Sequence, residues 1–234
     1  MERKTVNVIG AGLAGCEAAY QLAKAGFQVN LYEMRPDFQT GAHATGKFAE
    51  LICSNSLGSN FPDRAAGVLK NEMRRLGSLL LQIADSFEVP AGGALAVDRD
   101  LFSDKVTKTI SAHPNIQIFR EEVKEIPANH TIIASGPLTS SALSKSIANI
   151  TNSDNLFFYD AIAPIVNVES INFDIAFKAS RYQRDDNEGG DYINCPFSKE
   201  EYDRFIFELT RAQRIELKNF ELPINSGVKA GAEQ

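Results

Sequence analysis

The residues best suited to chemistry follow the first β-branched run of the chain. Thr5–Ile9 (TVNVI) leads directly into Gly10-Ala11-Gly12-Leu13-Ala14-Gly15, a G-x-G-x-x-G turn with a strand before it and a helix after it. That spacing suits a pyrophosphate. Gly10 permits the tight turn, Gly12 lets the backbone approach the phosphates, and Gly15 lets the helix pack closely on the strand. The helix N-terminus then offers free N–H groups and a positive dipole end to the anion. A second strand, Gln28–Tyr32, ends at Glu33, 18 positions after Gly15. A carboxylate there can accept both hydroxyl protons of an adenosine ribose. A glycine-rich turn in an empty α/β domain is the plainer alternative, and it leaves Glu33 without a reason. The turn alone does not separate FAD from NAD.

Cys53 is the second residue of chemical interest, in the polar stretch Glu50-Leu51-Ile52-Cys53-Ser54-Asn55-Ser56. A reactive thiolate needs a nearby cation or helix N-terminus, and Lys47, Arg64 and His43 are close in sequence. On residue type alone, a small buried hydrophobe is the plainer reading. Cys16, in the glycine-turn helix, reads as packing, and Cys195 reads as structural. His43, His113 and His130 show no metal-ligand spacing, and there is no Cys-x-x-Cys, so no metal is expected. His113 reads as a helix-end residue. No Gly-x-Ser-x-Gly elbow is present. Arg74 and Arg75 read as a solvated helix face rather than a phosphate clamp.

Composition narrows the classes. In 234 residues, 44% hydrophobic content is ample for a core, and a net charge of -6 argues against a generally basic nucleic-acid binder. No apolar run approaches the ~20 residues of a membrane span. No apolar segment of a secretory leader precedes the first strand. Three cysteines make no disulfide framework, so a reducing cytoplasm is the expected setting.

These residues need elements to hold them. Apolar spacing predicts helices over 13–25, 64–87, from Asp98 to about Ile110, from Thr139 or Ser140 to 147, and for about 20 residues after Ser198. Strands are predicted at Ala94–Val97, Ile116–Phe119, 122–126, 131–134, 156–159 and 162–168. Residues 36–64 read as irregular, which in a compact domain points to function. Residues 181–191 read as a loop and 225–234 as a disordered end. The expected fold class is α/β: a Rossmann-like FAD/NAD(P)-binding domain with an inserted α+β region. Its expected layout is the dinucleotide domain over 1–150, the start of a second, inserted domain over 151–222, and an off-pattern tail over 223–234.

Several stretches together resemble the folate- and FAD-dependent tRNA uracil-5-methyltransferase family, TrmFO. They are VNVIGAGLAGCEAAYQLAKAG (6–26), LYEMRP (31–36), KFAELICSNSLGSN (47–60), LKNEMRRLGSLL (69–80), VPAGGALAVDRDLFS (89–103), IIASGPLTS (132–140), FYDAIAPIV (158–166) and DYINCPFSKEEY (191–202). The resemblance implies FAD, with its pyrophosphate over Gly10, Ala11, Gly12, Leu13, Ala14 and Gly15, its ribose at Glu33, and a further contact at Gly136. It implies NAD(P)H as reductant and 5,10-methylenetetrahydrofolate as carbon donor. The acceptor it implies is C5 of a uridine in the T-loop of tRNA; some relatives methylate ribosomal RNA instead. It also moves Cys53 from packing to catalysis, as nucleophile, general base or guard of the flavin adduct.

Addition of a thiolate at C6 makes uracil C5 a nucleophile, which is covalent catalysis. Family members run to roughly twice this length and carry a second cysteine in a Phe-Glu-Gly-Cys-Met-Pro motif (by resemblance; a domain is ~100–200 residues). Here the corresponding stretch reads Leu222-Pro223-Ile224-Asn225-Ser226-Gly227-Val228. The expectation is therefore a truncated member with weak or no methyl transfer of its own. A non-catalytic dinucleotide-binding fragment is the alternative of a different class.

Overall fold

The computed structural model describes residues 4–52, 54–152, 166–179, 190 and 192–213. In chain order its elements are β1 (Thr5–Ile9), α1 (Leu13–Lys24), β2 (Gln28–Tyr32), β3 (Ser56–Ser59), α2 (Ala65–Arg75), α3 (Leu79–Ser86), β4 (Glu88–Val89), β5 (Ala94–Val97), α4 (Arg99–Ser111), β6 (Ile116–Phe119), β7 (Thr131–Ile133), α5 (Ser141–Thr151), β8 (Phe177–Ala179), β9 (Tyr192–Asn194) and α6 (Lys199–Arg211). The expected strand at 156–159, residues 162–165 of the strand expected over 162–168, nearly all of the loop expected over 181–191, and the tail lie outside the described residues; residues 166–168 are described and form no strand.

Four strands form a parallel sheet in the order β6-β2-β1-β7. The chain winds from β1 through β2 to one side, and β7 then takes the other side of β1. The crevice at such a reversal is where open α/β sheets bind ligands. The core sits between this sheet and three helices. Val8, Val29 and Leu31 meet Cys16, Ala19 and Ala23 of α1, Leu79, Leu80 and Ile83 of α3, and Phe102, Val106 and Ile110 of α4. The small buried face of α1 lets that helix lie close to β1. This is the Rossmann-like α/β fold that the strand-turn-helix pattern predicts.

Each helix end has a local cause. Gly26 closes α1 in a left-handed conformation (φ +92°), with its N–H on Ala23 O and the Phe27 N–H on Leu22 O. The same device corrects the predicted single helix over 64–87. Gly77 adopts φ +78°, its N–H bonds Arg74 O, and the Ser78 N–H bonds Met73 O, which ends α2. Ser78 then caps α3 through its hydroxyl. The break turns Val68, Leu69 and Leu76 to solvent, while α3 supplies the core.

Glu17 of α1 completes that junction. Its carboxylate accepts from Ser78 Oγ at 2.8 Å, Leu79 N at 3.1 Å and Leu80 N at 3.0 Å, so one helix caps another. Removing it leaves several half-buried donors unpaired. Glu17→Ala is expected to cost about 2 kcal/mol, read as a shift in urea midpoint at constant slope.

Other departures are smaller. The segment 36–64 is not wholly irregular, because Ser56–Ser59 pairs antiparallel with β5 across an irregular register at Gly58. Its Ser and Gly residues carry little strand propensity, and pairing overrides it. Residues 122–126 form no strand. They are loop, and Glu121, Glu122 and Val123 line the crevice. The helix expected to stop at 147 runs to Thr151, where Asn152 ends it in a left-handed conformation. Arg74 is not a free solvated charge, because it makes a forked pair with Asp85 at 2.8 and 2.7 Å. Among the described residues, no helix is long and apolar enough to cross a membrane.

Candidate functional site

The crevice lies over the ends of β1, β2 and β7. Ile9, Gly10 and Gly12 form its floor, Glu33, Arg35, Thr40 and His43 one wall, and Ser135, Thr139 and Ser140 the other. The three glycines differ in what they do. Gly10 holds φ +97°, and a side-chain carbon there would lie 2.7 Å from Ala134 O. A side-chain carbon on Gly15 would collide with the Gly10 carbonyl, so Gly15 lets α1 start against the turn. At Gly12 a side-chain carbon would meet nothing within 4 Å. Gly12 is the N-cap of α1, makes no side-chain cap, and has no acid in the following turn. The N-terminus of α1 thus has neither a side-chain cap nor an acid of its own first turn, and Gly10 and Gly12 line the crevice, a cradle that fits a pyrophosphate.

Glu33 stands at the end of β2, 6% exposed. Its Oε2 accepts the Ala11 N–H at 3.0 Å, which ties the acid to the glycine turn. Arg35 supplies the rest: its backbone N–H and Nε–H reach Oε1 at 3.1 and 2.9 Å, and Nη2 reaches Oε2 at 3.2 Å. Burial pushes the Glu33 carboxyl up, but the hydrogen bonds and charge of Arg35, with the Ala11 N–H, outweigh it and hold the group below its ordinary value. Arg35 also donates Nη1 to Glu50 Oε2 at 2.9 Å and to Thr45 O at 3.3 Å, and Nη2 to Lys47 O at 3.2 Å. Glu50 in turn accepts from Ala44 N at 2.9 Å and Thr45 Oγ1 at 2.8 Å. A backbone bond from Ala49 N to Ala11 O, 2.8 Å, runs beside this ionic chain. Turn, acid and the 44–50 segment are therefore one hydrogen-bonded unit.

Sequence reasoning missed Arg35, Glu50 and Arg120. Arg120 Nη1 bonds Arg35 O at 2.7 Å and Gly46 O at 2.8 Å, with its guanidinium over the Phe48 ring. Nothing in their spacing marks them, since they meet only after folding. His43 enters the wall and bonds Thr40 Oγ1 through Nδ1. Burial, and then the charge of Arg35, hold its imidazole below the usual histidine range.

The other expected residues separate. Leu13 and Ala14 open α1, and Ala11 lies buried between Glu33 and Ala49. Gly136 sits beyond β7 at φ +65° with open space where a side chain would be. Cys16 is fully buried, bonds Ala11 O, and has its thiol pushed up to about 12, chiefly by burial. That fits packing rather than thiolate chemistry. Cys195 is exposed rather than a packed structural residue. Cys53 lies outside the described residues. No group of three or more His, Cys, Asp or Glu residues with metal-holding geometry occurs among the described residues.

The glucose inhibited division protein A family matches residues 5–231. The methylenetetrahydrofolate–tRNA-(uracil-5-)-methyltransferase TrmFO of Desulfitobacterium hafniense (strain Y51) is 57% identical over 217 residues, 92% of this chain and 49% of that protein. Its counterpart in Bacillus subtilis (strain 168) is 55% identical over 224 residues, 96% of this chain and 51% of that one. The Heliobacterium modesticaldum protein of the same name is 55% identical over 94% of this chain and 50% of its own length. The chain thus spans about half the length of the curated relatives it matches. With an identity above half along nearly all of its length, the chain belongs to the glucose inhibited division protein A family and, within it, to the TrmFO proteins.

Proposed function

We propose that this chain provides the FAD-binding part of a folate-dependent tRNA uracil-5-methyltransferase. The observation that carries the reading is the 57% identity to a protein of that name. The crevice supports the cofactor half of it. The pyrophosphate would lie over residues Gly10 to Gly15 and be capped by the N–H groups of α1. The ribose would sit at Glu33, and Gly136, next to the lining residue Ser135, would give a further contact. Bound there, FAD would supply the redox centre linking NAD(P)H to the one-carbon unit that 5,10-methylenetetrahydrofolate delivers to uridine C5.

The chain's own residues have distinct tasks. The glycine turn binds, Glu33 orients, and Arg35 keeps Glu33 ionised in a buried setting. Cys53 acts on the uracil ring, where a thiolate added at C6 would make C5 nucleophilic. The substrate is a T-loop uridine of tRNA. The layout that goes with this reading is a dinucleotide domain over 1–150 and an inserted domain from 151.

A chimera tests it: residues 1–221 of this chain replace the matching part of the Bacillus subtilis relative. The expected result is folate-dependent 5-methyluridine in an unmodified tRNA transcript, falling at least about 100-fold in Cys53→Ala, as for loss of a covalent catalyst. A folded, flavin-loaded chimera that methylates no tRNA would contradict the proposal. Methylation of ribosomal RNA alone, mapped by mass spectrometry, would overturn the tRNA assignment.

A further inference from the structure

Glu33 and Arg35 are both saturated. A carboxylate offers about four acceptor positions, and those of Glu33 are taken by Ala11 N, Arg35 N, Arg35 Nε and Arg35 Nη2. A guanidinium offers five N–H donors, and those of Arg35 go to Glu33 twice, to Glu50, and to the Thr45 and Lys47 carbonyls. Both side chains are almost fully buried, Arg35 at 3% and Glu33 at 7% exposed. Water is therefore poorly placed to replace a bond given up by either one. A ribose that donates two hydroxyls to Glu33 must displace hydrogen bonds already there. The Ala11 and Arg35 N–H bonds belong to the backbone, so the bonds free to yield are those of the Arg35 guanidinium. A buried guanidinium that leaves one carboxylate needs another. Glu50 is that second carboxylate, already 2.9 Å from Nη1, and the bond it can give up in return is the long, shared one from Thr45 N, 3.3 Å to each of its oxygens.

From this geometry we propose that Arg35 and Glu50 form a relay: a ribose diol arriving at Glu33 shifts the Arg35 guanidinium toward Glu50, which makes Glu50 a positioning residue for the ribose. The relay rests on the ribose reading of Glu33 given above. It extends that reading to a residue that does not itself contact the ribose. It also carries the event onward. Glu50 holds the Ala44 and Thr45 N–H groups and the Thr45 hydroxyl, so the guanidinium arrives at the carboxylate that shapes the 44–50 turn.

The test is a cycle between a residue and a ligand atom, run on the full 234-residue chain freed of flavin. Binding of ADP and of 2′-deoxy-ADP is measured by calorimetry in the parent chain and in Glu50→Gln. The parent should prefer ADP by about tenfold, the scale of one hydrogen bond to a charged acceptor. In Glu50→Gln, Arg35 has no second anion and keeps its grip on Glu33, so the preference should fall below about threefold. Glu50→Asp, which retains the charge, should restore it. A merely structural role would weaken both ligands equally and leave their ratio unchanged, and that result would overturn the relay while leaving Glu33 as the ribose acid. No binding of ADP by the folded parent would overturn both. Should the Glu50 variants fail to fold, the Arg35 side-chain ¹⁵Nε resonance of the parent gives the same decision. It should move on adding ADP, and a fixed resonance in the ADP complex would refute the relay.

Discussion

Gly12→Asp is expected to fold as well as the parent chain and to lose FAD. The two halves of that result come from different physics. Gly12 has φ -72° and ψ -168°, an extended conformation open to any residue. A side-chain carbon there meets nothing within 4 Å, so the substitution creates no clash. Aspartate is also a better helix N-cap than glycine by a few tenths of a kcal/mol, and its charge suits the positive end of α1. The melting temperature should stay within about 3 °C of the parent, or rise.

Binding should respond in the opposite direction. The new carboxylate occupies the cradle, satisfies the N–H groups meant for the pyrophosphate, and repels it. Juxtaposed like charges cost several kcal/mol, so affinity for FAD should drop at least about 100-fold by fluorescence titration. Gly15→Ala supplies the contrast. Its added carbon collides with the Gly10 carbonyl, so stability and binding should fall together. A Gly12→Asp chain that kept its affinity would remove the pyrophosphate from this turn.

Arg35→Met is expected to be the most damaging single change to stability. It leaves Glu33 buried with only the backbone N–H groups of Ala11 and residue 35, and it strips Glu50 of its cation. Breaking a buried pair by removing one partner costs about 3–5 kcal/mol. The pH dependence identifies the cause. In the parent, Arg35 holds the Glu33 carboxyl below its ordinary 4.5. That group therefore contributes stability above the unfolded value, and loses it as pH falls through the lowered folded value.

In Arg35→Met, burial acts with little opposition and the carboxyl moves up. The deficit relative to the parent should thus be widest near neutral pH and shrink as pH falls from the variant's raised value, above 4.5, to the parent's lowered value, below which Glu33 is protonated in both. Urea denaturation at two pH values measures this. Arg35→Lys, which keeps the charge without the fork, should fall between the two. A deficit under about 1 kcal/mol, or one independent of pH, would show that the pair does not hold the site together.

The parts of the site that could be read from the sequence are those with local causes. The strand at Thr5–Ile9, the glycine turn, α1 and the acid after β2 depend on residues within a few positions of one another. The structure has them in the expected places. Two errors in the fold also had local signals. The pair Gly77-Ser78 combines a left-handed helix stop with an N-cap, and that is where the predicted long helix divides. Asn152 marked the true end of α5 in the same way.

The remaining features depend on contacts distant in sequence. Ser56–Ser59 is a strand only because β5, almost 40 positions later, pairs with it. Arg35, Glu50 and Arg120 have ordinary spacing, and only the closing of the 44–50 segment against β2 and β6 brings them to one acid. Glu122–Ile126 holds two β-branched residues, Val123 and Ile126, but three positions apart rather than two, and Glu122 and Val123 line the crevice instead of pairing in a strand.

The most direct test of the central claim is the visible absorption of the purified chain before and after FAD is added, with unbound flavin removed. The glycine turn, the open N-terminus of α1 and the buried Glu33 predict a structured, protein-shifted flavin band that saturates near one flavin per chain and is absent in Gly12→Asp. A chain that is folded by circular dichroism yet retains no flavin and shifts no band would contradict the assignment of this crevice to FAD.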